Sequence, residues 1–300
     1  MPDHQSARVF AMKPDDYCQE KAAASGSSFY YSFLFLSPEK RQAITALYAF
    51  CREVDDCVDN CSDPNIARQK LSWWRSEVQR AFHDKPQHPV GIALQTSLER
   101  FNLAEEHFHA IIDGMLMDTE QHHYATFEDL SLYCYRAAGV VGLLAAEIFG
   151  YRNKQTLDYA RELGTAFQLT NIIRDVREDA QRDRIYLPEE DLQQFSLTRQ
   201  DIINANRSDN MHEMLNFQIQ RAQGFYDKAF ACLPDEDRYA QRSGIIMAAI
   251  YRRLLEKIKN KPFTIFQQRT SLSPLQKLWI AWNTNRREKR RQQQFSRSKS

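Results

Sequence analysis

Three hundred residues can make one large domain or two ordinary ones, and a net charge of +1 creates no global field for nucleic acid. With 43% hydrophobic and 26% charged residues the composition is globular, which excludes a disordered chain. Nine glycines and ten prolines are few for this length and predict long helices joined by few turns.

The first residues, MPDHQSARVFAMKPDDY, contain no apolar signal core. The six cysteines (18, 51, 57, 61, 134 and 232) form no C-x-x-C pair and read as reduced, packed thiols. Both features predict a chain working in the cytosol or on the inner face of the cell membrane. Residues 17–24 suit a helix that breaks at Ser25, Gly26, Ser27 and Ser28. Those hydroxyls and backbone N–H groups suit phosphate oxygens, or an ordinary cap and turn. A dense aromatic run follows, with Phe29, Tyr30, Tyr31, Phe33 and Phe35. Pro38 then opens a long helix. In its second half, Tyr48, Arg52, Asp55 and Asp59 stand at i, i+4, i+7 and i+11, one stripe of one face.

Asp63 and Pro64 end that helix region, and 65–82 is another amphipathic helix, carrying Trp73 and Trp74. Residues 83–89 are a polar loop, and 91–100 and 105–118 read as helices. His107, His109, His122 and His123 do not have a metal-ligand spacing and read as surface or satisfied side chains. In 127–149, Tyr133, Ala137, Val141 and Leu144 fall near one face beside Gly139 and Gly142. Small residues there admit a close neighbour, either another helix or an apolar ligand chain. The stretch 137–150 is short and carries Glu147, so it reads as a buried helix rather than a membrane span. Residues 157–178 form a further helix whose polar stripe is Gln168, Asn171, Asp175 and, one turn on, Asp179. Arg182, Arg184 and Tyr186 follow before Pro188. A connection over 188–206 leads to helices at 211–232 and 243–259. No strand-period segment of useful length is present, so the fold class is all-α.

After Pro274, LQKLWIAWNTN sets Trp279 and Trp282 beside basic residues, and RREKRRQQQFSRSKS is strongly basic. This end suits an interfacial anchor on an anionic membrane or a disordered, solvated tail. Nothing else in the chain supports nucleic-acid binding.

Two aspartate stripes far apart in sequence predict two acidic walls facing one cavity. Magnesium takes oxygen ligands and is held by one or two carboxylates plus substrate phosphates. Apolar helix faces beside them suit a hydrocarbon. Together they suit ionisation of an allylic diphosphate.

The strings SGSSFYYSF, ALYAFCREVDD-x-x-D, YCYRAAGVVG and QLTNIIRDVREDAQRDRIYLP resemble the squalene/phytoene synthase family from about residue 17 to 269. The run from KAAASGSSFYYSFLFL through LYAFCREVDD is most similar to the bacterial presqualene diphosphate synthases of hopanoid pathways. The resemblance implies the isoprenoid synthase fold, one helical domain around a central cavity. It implies an N-terminal extension over 1–16, a catalytic domain over 17–270 and a basic tail over 271–300.

It further implies Mg²⁺ (with Mn²⁺ as a substitute) on Asp55, Asp59, Asp175 and Asp179, with Asp56 lying between the first pair. Arg52, Arg174, Arg269, Ser28 and Tyr251 would contact diphosphate, with Ser25 and Phe29 also at the substrate. Gln168 and Asn171 would line the cavity near the metals, and Tyr48, Tyr133 and Tyr186 would stand near the reacting carbons. Many relatives carry His-x-Lys-Ser-Phe where this chain has Ser25 to Phe29, so one basic contact is replaced, with Lys21 the candidate substitute. The implied reaction joins two farnesyl diphosphates into presqualene diphosphate without NADPH. The rivals are a complete NADPH-dependent squalene synthase, a phytoene or dehydrosqualene synthase, a chain-elongating prenyltransferase, and a non-enzymatic assembly factor. The flanks YAFCRE and RIYLP argue against the elongating class, and the four intact aspartates argue against the assembly factor.

Overall fold

The computed structural model describes residues 12–24, 29–61, 63–120 and 123–298. Helices make up 78% of the described residues, which contain no strand, only an isolated bridge between His123 and Ile185. In chain order the helices are α1 (Pro14–Ala24), α2 (Phe29–Phe33), α3 (Pro38–Asp59), α4 (Pro64–His83), α5 (Pro89–Leu98) and α6 (Glu105–Glu120). Next come α7 (Phe127–Cys134), a π turn (Tyr135–Gly139), α8 (Val140–Phe149) and α9 (Gln155–Ala180). The short α10 (Glu189–Gln194) and α11 (Arg199–Ile203) lead to α12 (Asp209–Cys232), α13 (Arg242–Asn260) and α14 (Pro274–Ser298). The all-α expectation holds. Two short helices occupy the stretch expected to be a plain connection.

Local chemistry sets the helix starts. Pro38, Pro64 and Pro89 each sit in a first turn, where a missing N–H costs nothing. Asp63 caps α4 by accepting from the Asn65 N–H at 2.8 Å.

The apolar residues form two clusters. One gathers α9, α12 and α13, and the other gathers α3 to α6 with α8. Phe29 and Ala137 pack against both, and the central cavity lies between them.

The α7–α8 stretch is long and apolar enough to cross a membrane by length and composition, but 44% of its most apolar part is buried within the fold. It packs on α6 and α9. One neighbour admitted by its small residues is a helix, while Ala137, Gly142 and Ala145 also border the cavity. A Cβ on Gly142 would strike the Ala160 carbonyl, and one on Gly164 would strike that of Ala138. The two backbones therefore touch. The π turn adds a residue to the helical repeat, so Tyr133, Ala137, Val141, Ala145 and Phe149, each four apart, all reach the cavity. Leu144, expected on that face, is instead fully buried in the core.

The basic C-terminal segment is a 25-residue helix, α14, rather than a disordered tail, although its basic end stays exposed. It packs against α13 through buried Ala281 and Thr284. Buried Glu288 accepts two hydrogen bonds from Arg238, at 3.1 and 3.2 Å.

Candidate active site

The cavity is about 580 Å³, a size suited to a small-molecule ligand. Both aspartate stripes open into it: Tyr48, Arg52, Asp55 and Asp59 from α3, and Gln168, Asn171, Asp175 and Asp179 from α9. Phe29, Tyr133, Arg174, Tyr186, Tyr251 and Arg269 line it too. Ser25 and Ser28 lie outside the described residues. Away from the acids the wall turns apolar, with Ile44, Leu47, Met115, Phe149, Leu163 and Met247.

The acids are held by basic partners, except at one point. Arg52 donates to Asp55 at 2.6 Å and to Asp56 at 2.9 Å. Asp59 accepts from Arg182 at 2.6 Å and Arg184 at 2.8 Å. Arg174 and Arg269 converge on Asp175, with Nε donors at 2.7 and 3.0 Å. They hold its carboxyl below the usual range against the opposing effect of burial. Asp179 has no ion-pair partner of its own among the described residues. Burial, reinforced by Asp175, Asp118 and Asp59, pushes its carboxyl up to about 8. Burial and Asp59 push Asp55 up to about 6. Asp56 does not line the cavity and is shared by Arg52 and Lys21. Lys21 is thereby engaged, at 2.8 Å from Glu53 and 2.9 Å from Asp56. Lys21 does not line the cavity.

These residues fit a divalent cation. The donors are hard oxygens, and mutual repulsion among buried carboxylates is what a cation relieves. The Asn171 amide oxygen on the same stripe is buried and has no partner. Among the described residues no three ligating side chains form a ready-made site.

Three residues go beyond the sequence reading. Asp118, buried on α6, accepts from the hydroxyls of Tyr186 at 2.7 Å and Tyr133 at 3.1 Å. The two tyrosine rings stack with centroids 5.0 Å apart. Burial pushes the Asp118 carboxyl up to about 7, against the opposing pull of Arg184 and the two hydroxyls. Its signal in sequence was slight: Asp118 continues the apolar stripe of Ile111 and Met115 at i, i+4 and i+7. Arg184 follows the aspartate motif in sequence, but its reach to Asp59 is purely tertiary. Lys277 of α14 also lines the cavity. Burial, with Arg174 and Arg269 nearby, holds its ammonium below the usual range.

Residues 22–276 match the squalene/phytoene synthase family profile. A phytoene synthase of Arthrospira platensis is 35% identical over 90% of this chain and 93% of its own. A crystallised dehydrosqualene synthase superposes with a TM-score of 0.81 at 27% identity, over 92% of this chain and 96% of its own. Squalene synthase HpnC from Alicyclobacillus acidocaldarius gives 0.75 at 29% identity, over 83% and 94% of the two chains.

Proposed function

The chain belongs to the squalene/phytoene synthase family, of isoprenoid synthase fold, and from that membership we propose that it condenses two farnesyl diphosphates into presqualene diphosphate, for squalene and hopanoid biosynthesis. The observation that carries this reading is the pairing of Asp55 and Asp59 with Asp175 and Asp179 across one cavity that turns apolar beyond them. The family works on prenyl diphosphates and generally uses a divalent metal. The likeness to squalene synthase HpnC supports the farnesyl choice.

Bound at the four aspartates, Mg²⁺ would stabilise the negative charge of a departing diphosphate. Arg52, Arg174 and Arg269, now paired with aspartates, would turn to diphosphate oxygens. One farnesyl diphosphate loses its diphosphate and leaves an allylic cation at C1. The C2–C3 double bond of the other attacks it, and loss of a proton closes a cyclopropane. The products are one C30 diphosphate, one diphosphate and one proton.

Tyr133 and Tyr186 donate their hydroxyl protons to Asp118, so they can offer oxygen lone pairs to positive charge in the cavity. Phe29 and Tyr48, with ring centroids 5.0 Å apart, help exclude water and offer π faces to the cation. Burying one C15 tail contributes on the order of 10 kcal/mol before ordering costs, at ~0.8 per carbon.

A second reading, condensation of C20 chains to phytoene, is supported by the Arthrospira relative. Purified protein with Mg²⁺ and either farnesyl or geranylgeranyl diphosphate, with and without NADPH, separates the readings by mass spectrometry. Presqualene diphosphate in both farnesyl arms is expected. Squalene formed only with NADPH would make it a complete squalene synthase, and a C40 product with farnesyl diphosphate untouched would establish the second reading.

A further inference from the structure

Leu275, Leu278, Trp279 and Trp282 stand at i, i+3, i+4 and i+7 on α14, one stripe of the helix. All four are exposed, Leu275 at 79% and Trp279 at 63%. They lie opposite the Ala281–Thr284–Glu288 face that packs on the domain. The same stripe continues at i+11, i+14 and i+15 with Arg286, Lys289 and Arg290. It is apolar first and basic after.

Arg286 lies 5.3 Å from the centre of the Trp282 ring. Lys289 and Arg290 have no ion-pair partner among the described residues. The only acid of α14 is Glu288, which is buried against Arg238. The outward face of the helix therefore carries uncompensated positive charge beside two tryptophans and two leucines.

Its position adds a second argument. Lys277, between Leu275 and Leu278, faces the other way, lines the cavity and sits 5.6 Å from the centre of the Tyr31 ring. Tyr30, next to it on α2, is 55% exposed, and α2 packs on α14. One helix thus presents a cavity wall on one side and an apolar–aromatic surface on the other.

We propose that this stripe of α14 docks the protein on an anionic lipid bilayer, with α14 lying in the interface beside the cavity. Tryptophan and leucine enter the headgroup boundary, and Arg286, Lys289 and Arg290 meet lipid phosphates. Charge selects this occupant. A second copy of the chain would bring the same unpaired positive charge to the contact, and a purely apolar partner would leave that charge unmatched. The proposal does not depend on which prenyl chain the cavity takes, and its test reads binding rather than turnover.

The test is flotation of the full chain with phosphatidylglycerol vesicles and with phosphatidylcholine vesicles at low salt. The protein is expected to float with the first and to be released by salt. Replacing Trp279 and Trp282 by Ser should lower that binding at least ten-fold, with turnover of detergent-dispersed substrate unchanged. Replacing Lys289 and Arg290 by Gln should lower it by about thirty-fold, at roughly one interfacial charge contribution per residue. Wild-type protein that stays off phosphatidylglycerol vesicles overturns the proposal. So does wild-type affinity in the double Trp variant. A dimer in light scattering that the Trp variant dissolves would overturn it too, and assign the face to a second copy.

Discussion

The Tyr186 hydroxyl donates to Asp118 at 2.7 Å, joining residues 68 apart in sequence inside the wall of the cavity. Tyr133 meets the same carboxylate at 3.1 Å. Burial keeps both phenols protonated, well above the ordinary tyrosine range. One carboxylate therefore aims two hydroxyls. Asp118→Asn keeps the size but removes the charge that both donors seek. It should lower kcat by about 10- to 100-fold with little change in KM, since the diphosphate contacts lie elsewhere. Steady-state kinetics check this, and a rise in KM with unchanged kcat would remove Asp118 from the reaction.

Asp175 is where Arg174 and Arg269 converge, and it faces the same cavity as Asp55. Asp175→Asn should leave the circular dichroism spectrum intact and remove at least about 100-fold of turnover, the scale of losing one charge-stabilising group. Normal consumption of farnesyl diphosphate by this variant would refute the metal assignment.

Stability should depend on metal and pH together. The carboxyls of Asp55 and Asp179 rise from the ordinary 3.8 to about 6 and about 8, chiefly through burial. Each binds a proton more tightly folded than unfolded. Their contribution to stability is thus present below about pH 4 and is lost as pH rises towards 8. A divalent cation that binds the ionised carboxylates opposes that loss. Mg²⁺ should therefore raise Tm more at pH 8 than at pH 5.5, and Asp179→Asn should shrink the difference. Thermal melts with Mg²⁺ and with EDTA read both.

The contact of α8 with α9 leaves no room at Gly142, where a Cβ would strike the Ala160 carbonyl. Gly142→Ala should cost about 1–3 kcal/mol, the usual scale of overpacking. The midpoint of urea unfolding measures it. Unchanged stability would mean that the two helices part without penalty.

Asp59 holds Arg182 and Arg184, more than 120 residues away, at the open end of α3. Arg184→Gln removes one positive charge from the diphosphate region. KM for the prenyl diphosphate should rise by about ten-fold, the scale of one charged hydrogen bond. A KM equal to wild type would restrict Arg184 to a structural role.

Periodicity in the sequence was enough to set most of the long helices and both aspartate stripes, because a helix repeats every 3.6 residues and every member of a stripe is a near neighbour in the chain. Pro38 marked a helix start for an equally local reason, whereas Pro64, read as the end of one helix, opens the next. The family strings then indicated the fold and the kind of substrate. What the sequence could not supply was pairing across distance. Asp118 was one acid at the end of an apolar stripe until Tyr133 and Tyr186 met it. The pairing of Lys21 with Glu53 and Asp56, across more than 30 residues, was equally invisible. The basic end of the chain looked like a tail because its polar residues dominate its composition. Only the folded domain offers Arg238 to Glu288 and a surface for Ala281, and those tertiary contacts fix it as a helix with an inward and an outward face.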